Sequence, residues 1–322
     1  MTIKPVRRGL VLGAGGALGA AWIVGALNAL AEAEGVDPRT ADVVLGTSAG
    51  SVIAGLLGCG VSVEALAERL DIDAPPHVEG TGPVNAFDVH SALAAIPRPT
   101  LLPGNLRLAA RTVSRAHRHT VMTLAAGLAP RGRGTLAPLA DMIADAAGDA
   151  GWPKSPRTWI AAMDYDTGHR VVFGRPGAPA AALSEAVVAS SAAPGFFPPA
   201  TIGGHRYVDG GAVSVTNADV LAAEGLDEVI VLAPMASFER IRRGSPTARA
   251  DRRLRSMFTR RLGVEIDRLE ASGTRVRAFA PTAEDLHIMG VNLMNPARRR
   301  EVLHMSLRTT REQLDSLAIK AQ

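Results

Sequence analysis

Residues 8–22, Arg8-Gly9-Leu10-Val11-Leu12-Gly13-Ala14-Gly15-Gly16-Ala17-Leu18-Gly19-Ala20-Ala21-Trp22, decide how this chain folds. The first six (8–13, RGLVLG) form a short apolar run bounded by glycine, which reads as a buried strand. GAGGALG then opens an apolar helix expected to run to about Glu34, with Gly35 as its stop. The pattern repeats downstream. Ala41–Leu45 reads as a second strand, Gly46–Ser51 as a turn, and a helix follows through Leu57. Strand, glycine turn and helix, twice over, imply a parallel sheet covered by helices.

Outward from there, residues 74 to about 150 differ. Pro75, Pro76, Pro97, Pro99, Pro103, Pro130 and Pro138 fall in this stretch, with no strand alternation, so it reads as a helical insertion or cap. Within it Arg107, Arg111, Arg115 and Arg118 share one helix face, opposite Ala109, Val113 and Ala116. That face is either solvated surface or a lid that approaches phosphate headgroups. The sheet resumes after Pro156 with strands at Arg157–Met163 and Arg170–Phe173, joined by a turn over 164–169. Ser184–Ser191 reads as a helix ended by Pro194-Gly195. Thr201-Ile202 and His205–Val208 flank Gly203-Gly204, a hairpin signature. Glu228–Ala233 and Thr274–Ala280 are the remaining strands. Leu254, Met257, Phe258, Leu262, Ile266 and Leu269 follow helical spacing and read as core packing.

Composition narrows the classes. The chain has 322 residues, 35 basic against 31 acidic, hence +4. A basic balance suits anionic partners, membrane surfaces included. Cys59 is the single cysteine, which excludes intramolecular disulfides and a four-cysteine zinc site. Aromatic residues at 4% argue against stacking on nucleic-acid bases, so no nucleic-acid partner is expected. Lys4, Arg7 and Arg8 precede an uncharged run to Ala31, which by charge alone resembles a signal peptide, and Val43–Val63 is long enough to span a bilayer. The glycines inside both runs favour strand–turn–helix units instead. A cytoplasmic location, in part at a membrane surface, is expected, and the sequence assigns no oligomeric state.

Three segments carry chemistry. Gly46-Thr47-Ser48-Ala49-Gly50 fits G-x-S-x-G between a strand and a helix, where a tight turn projects a nucleophile clear of the backbone. Gly13–Gly19 invites a dinucleotide reading, but the third glycine of G-x-G-x-x-G falls one residue late and no ribose-binding acid ends the next strand. Its alternative use is an oxyanion hole, because glycine amides converge on an oxygen with no Cβ in the way. Asp209-Gly210-Gly211 presents a carboxylate at the end of a hairpin strand. None of the eight histidines has a convincing catalytic context, and His205 would lie roughly 13 Å from Asp209 along an extended strand.

In this order the motifs make the chain resemble the patatin-like phospholipase family. The glycine loop Gly15–Gly19, the serine motif Gly46–Gly50 and Asp209–Gly211 match its three signatures. Ala189-Ser190-Ser191-Ala192-Ala193-Pro194-Gly195-Phe196-Phe197-Pro198-Pro199 is similar to its A-S-x-A-x-P-x-x-F-x-P block, and Asp285–Gly290 through Arg298-Arg299 resembles its C-terminal block. The resemblance implies a single patatin-like domain over 1–322, an α/β fold built as a three-layer α/β/α sandwich with a mostly parallel sheet and a helical insertion at 74–150. It implies a serine lipid acyl hydrolase in which Ser48 attacks an acyl carbonyl and Asp209 takes its proton. Gly15, Gly16, Ala17 and Ala49 would supply oxyanion amides, with no metal or cofactor. The expected partners are an acyl-lipid substrate and, peripherally, an anionic membrane. The competing reading is a silent or regulatory protein of the same fold that binds acyl lipids. The family loop often carries Arg or Lys where this chain has Leu18, a departure that bears on headgroup preference. Phe196 and Phe197 are expected to wall Asp209 in apolar surroundings that raise its basicity.

Overall fold

β1 (Arg8–Leu12) and β2 (Val43–Thr47) form at the two apolar runs and are buried along nearly their whole length. Burial on both faces is why these runs do not alternate with polar residues. The computed structural model describes residues 6–35, 37–71, 104–114, 121–239 and 246–320. The other strands are β3 (Arg157–Asp164), β4 (Arg170–Phe173), β5 (Ala200–Ile202), β6 (His205–Asp209), β7 (Glu228–Leu232) and β8 (Arg275–Phe279). They make one sheet in the order β5-β6-β3-β2-β1-β7-β8, with β4 also paired to β3. The run from β3 to β8 is parallel, while β4, β5 and β6 are antiparallel additions at one side.

The helices are α1 (Gly16–Glu34), α2 (Ala49–Gly58), α3 (Val63–Asp71), α4 (Leu106–Ser114), α5 (Val121–Leu128), α6 (Ala137–Ala147), α7 (Leu183–Ser191), α8 (Pro246–Ala271), α9 (Ala283–Met289) and α10 (Arg299–Lys320). Side chains alternate across each strand. Leu10, Leu12, Val44, Ile160 and Leu232 therefore pack into one core with α1, α2, α7 and α10. Val11, Leu45, Trp159, Val229 and Val231 pack into a second core with Leu262 and Leu269 of α8. Helices on both faces of a mostly parallel sheet give the α/β/α sandwich.

Local chemistry sets the boundaries. Gly35 ends α1 in the left-handed region at φ 64°. Gly203 and Gly204, at φ 56° and 80°, turn β5 into β6. By length and apolarity α1 could cross a bilayer. Here it is packed in the core: a Cβ at Gly25 would lie 2.4 Å from the Leu303 carbonyl oxygen, and the Ser306 hydroxyl donates to the Trp22 carbonyl at 2.6 Å.

Two helix readings change. The α8 stripe is not all core: Leu262 and Leu269 are fully buried, but Leu254 is 36% exposed. In α4, Ala109 is buried as expected, whereas Val113 is 67% exposed. The side chain of Arg111 donates to the Asp166 carbonyl at 2.7 Å. Arg115, Ala116 and Arg118 lie outside the described residues.

Candidate active site

Strand register brings the two distant motifs together. Thr47 at the end of β2 pairs with Ala161 of β3, and the next residue of β3, Ala162, pairs with Asp209 at the end of β6. Ser48 and Asp209 thus leave the sheet on either side of one strand. The Ser48 side chain lies beside the Asp209 carboxylate and, as a polar neighbour, works against the rise that burial gives its pKa.

The turn at Ser48 follows from its neighbours. Ser48 stands at φ 54°, ψ −120°, a strained conformation for a residue with a side chain. Its amide donates to the Ser190 hydroxyl at 2.8 Å, and that hydroxyl donates to the Ala161 carbonyl at 2.7 Å. The Ser48 carbonyl accepts from the amide of Ser51 at 2.8 Å and from its hydroxyl at 2.6 Å. A Cβ at Gly46 would lie 2.5 Å from the Gly50 carbonyl oxygen, and one at Gly50 would lie 2.0 Å from that of Leu12. The two glycines let β2 and α2 close on the serine.

Asp209 is buried, and its Oδ1 accepts from the Gly211 amide at 2.7 Å. A Cβ at Gly210 would lie 2.4 Å from the Ala161 carbonyl oxygen, which explains the small residue after the acid. Burial pushes the Asp209 carboxyl from the ordinary 3.8 up to about 6, although Ser48 and the bond from Gly211 pull the other way. A carboxylate of that basicity accepts a proton near neutral pH.

The glycine loop lies beside this pair. The amides of Gly13, Ala14 and Leu18 are committed to the carbonyls of Leu232, Val215 and Leu293. Gly16 and Ala17 open α1 and Ala49 opens α2, so helix geometry gives their amides no intrahelical acceptor. Gly15, Gly16, Ala17 and Ala49 all line one cavity with Ser48 and Asp209. Its volume is about 510 Å³. The rest of the described lining is largely apolar: Val52, Leu139, Phe197 and Val215 among others, with Phe196 half exposed. Leu254 and Phe258 of α8 belong to this wall, as do Met122, Ala125 and Ala126 of α5. The Leu18 side chain is fully buried in the core and does not line the cavity. No histidine does so among the described residues; His205 is exposed at the start of β6.

Sequence reasoning missed three parts of this site. Ser190 stood inside a quoted block, but its bond to the Ser48 amide had no local signal. Leu293 and Met294 were also passed over. A Cβ at Gly16, which has φ 63°, would lie 2.6 Å from the Met294 sulfur. Arg299 lines the same cavity.

A family model described as patatin-like phospholipase matches residues 10–222. No curated protein matches the chain. Among solved structures it is similar to VipD from Legionella pneumophila, with 16% identity and a TM-score of 0.46, over 97% of this chain and 67% of that one. It is similar also to the type III effector protein ExoU, with 18% identity and a TM-score of 0.38, over 97% of this chain and 53% of that one.

Two stability outcomes follow from the geometry. Ser190→Ala strips the Ser48 amide and the Ala161 carbonyl of a partner and should cost about 2 kcal/mol in urea unfolding. A Ser190→Ala protein as stable as the wild type would deny that bond its role. Asp209 acts in the opposite sense. Its folded value, about 6, lies above the ordinary 3.8, so its contribution to stability is full below pH 4 and is lost as pH rises through 6. Asp209→Asn should therefore stabilise the protein at pH 7.5 by up to about 3 kcal/mol, with the advantage gone at pH 4. The check is denaturant unfolding at both pH values.

Proposed function

The chain belongs to the patatin-like phospholipase family, and from that premise we propose that it is a serine lipid acyl hydrolase working through a Ser48–Asp209 dyad. The observation that carries the reading is that strand register sets Ser48 beside a buried, unusually basic Asp209 on the wall of an apolar cavity. Family membership supports lipid acyl hydrolysis in general; the dyad and its oxyanion hole are the finer proposal.

In this reading the Ser48 oxygen attacks the acyl carbonyl as its proton passes to Asp209. The carbonyl oxygen gains negative charge among the amides of Gly15, Gly16, Ala17 and Ala49. The N-termini of α1 and α2 add positive potential there. Collapse of the tetrahedral species breaks the ester C–O bond, and the departing alcohol takes the proton from Asp209. A water then attacks acylated Ser48, giving its proton to Asp209, and the second collapse returns the serine and frees the fatty acid.

The cavity suits one acyl chain. At about 30 Å³ per water-sized group, its volume takes roughly 17 heavy atoms. We read residues 74–150 as a cap, since Met122, Ala125, Leu136 and Leu139 contribute lining. Peripheral contact with an anionic bilayer belongs to the same reading: Phe196 and Leu254 line the cavity and are also solvent-exposed, at 49% and 36%.

Ser48→Ala should abolish turnover of a p-nitrophenyl ester and labelling by a fluorophosphonate while circular dichroism stays native. Continued labelling would mean that another residue is the nucleophile. The wild-type pH profile of kcat/KM should fall about tenfold per pH unit below about 6, because protonated Asp209 cannot take the serine proton. A flat profile from pH 4 to 8 would remove Asp209 as the base.

A further inference from the structure

Pro234, just after β7, packs against three glycines of the loop. A Cβ at Gly15 would lie 2.9 Å from the Pro234 Cβ, and those at Gly13 and Gly19 would each lie 3.3 Å from atoms of the same ring. Pro234 does not itself line the cavity. Its carbonyl is held from α8, where the Arg255 Nη1 donates to it at 2.9 Å.

Arg255 is an unusual residue to find in this place. It is 1% exposed, on a helix whose Leu254 and Phe258 line the cavity, and it does not line the cavity itself. Its Nε pairs with Asp251 at 2.9 Å, but that carboxylate is 23% exposed. Its Nη2 is buried and has no hydrogen-bond partner among the described residues. A guanidinium stays charged at any ordinary pH, and a charge taken out of water is costly unless it is fully paired. A neutral donor would satisfy the Pro234 carbonyl without that cost. What the cation adds is strength, because a charged donor holds a carbonyl more firmly than a neutral one. Amides that must receive developing charge are most effective when their backbone is held in place beforehand.

We infer that Arg255 is a positioning residue for the oxyanion hole: acting through Pro234, it holds the glycine loop in the shape that receives the carbonyl oxygen of the substrate. The inference rests on the acyl-hydrolase reading above. It assigns a task to a buried cation that touches neither Ser48, Asp209 nor the cavity.

The test compares octyl trifluoromethyl ketone with octyl methyl ketone as inhibitors of p-nitrophenyl octanoate hydrolysis by the full-length protein. The first takes up the Ser48 oxygen at its carbonyl carbon. A C–O bond forms, the serine proton passes to Asp209, and the electron pair of the carbonyl π bond moves to its oxygen, which becomes an oxyanion. The second binds unchanged. Arg255→Met should weaken the trifluoromethyl ketone by about tenfold or more and leave the methyl ketone as it was, with kcat falling and KM held. Arg255→Lys keeps a charged donor and should recover part of the loss. Pro234→Ala should show the same selective loss, and the double variant should lose no more than the larger single effect, because both substitutions act on one contact. If Arg255→Met does not fold by circular dichroism, Arg255→Lys and Pro234→Ala carry the same comparison. Equal weakening of both ketones would mean that Arg255 only maintains the shape of the cavity, and that result overturns the inference. Undiminished affinity for the trifluoromethyl ketone overturns it as well, and so do losses that add in the double variant. Fluorophosphonate labelling separates the two levels. A wild type that is labelled, with variants that show no selective loss, forfeits this inference alone, whereas one that is neither labelled nor active forfeits the hydrolase reading and this inference with it.

Discussion

The carbonyl oxygens of Leu12 and Ala161 fix where the side chains of Ser48 and Asp209 can stand. Each belongs to a strand in the parallel part of the sheet, where neither has room to move. Gly50 approaches the first so closely that no Cβ fits, and Gly210 does the same at the second. Ala161 also accepts the Ser190 hydroxyl that holds the Ser48 amide. The serine turn, the acid turn and α7 are thereby referred to the same strand, β3. The strained backbone at Ser48 persists because its neighbours on both sides are pinned in this way.

The electrostatics follow from that packing. A carboxylate held at the edge of an apolar cavity is costly in its charged form, and the cost appears as raised basicity. The converging starts of α1 and α2 work in the other direction, since their uncommitted amides favour negative charge nearby. In the proposed reaction these two effects serve one another: the amides favour charge on a substrate oxygen, and burial makes the resting carboxylate more avid for a proton. Stability is traded against basicity at Asp209.

The central sheet was legible because its signals are local. Glycine-bounded apolar runs, a period of two, and paired glycines between strands each report on the backbone within a few residues. The motif residues Ser48 and Asp209 were legible from the same turns, helped by the resemblance. What escaped was set by contacts between distant segments. Ser190 reads as one more small residue until β3 lies beside it. Leu254 and Phe258 continue the apolar stripe of α8, and nothing in their spacing tells that the stripe passes from core to cavity wall. Leu18 invites attention as an absent charge, yet its side chain belongs wholly to the core. Arg299 sits between two other arginines of similar appearance, and only the packing of α10 against α3 and the glycine loop distinguishes it.

The bond between Leu18 and Leu293 has a bearing on biosynthesis. The glycine loop leaves the ribosome well before the residue that caps it is made. The sheet strands up to β7 can pair before then, but the cavity lacks one wall until the segment after α9 arrives. The cavity is accordingly enclosed only once that segment has been made, and a nascent chain stalled before that point would carry Ser48 and Asp209 without the enclosed space that they line.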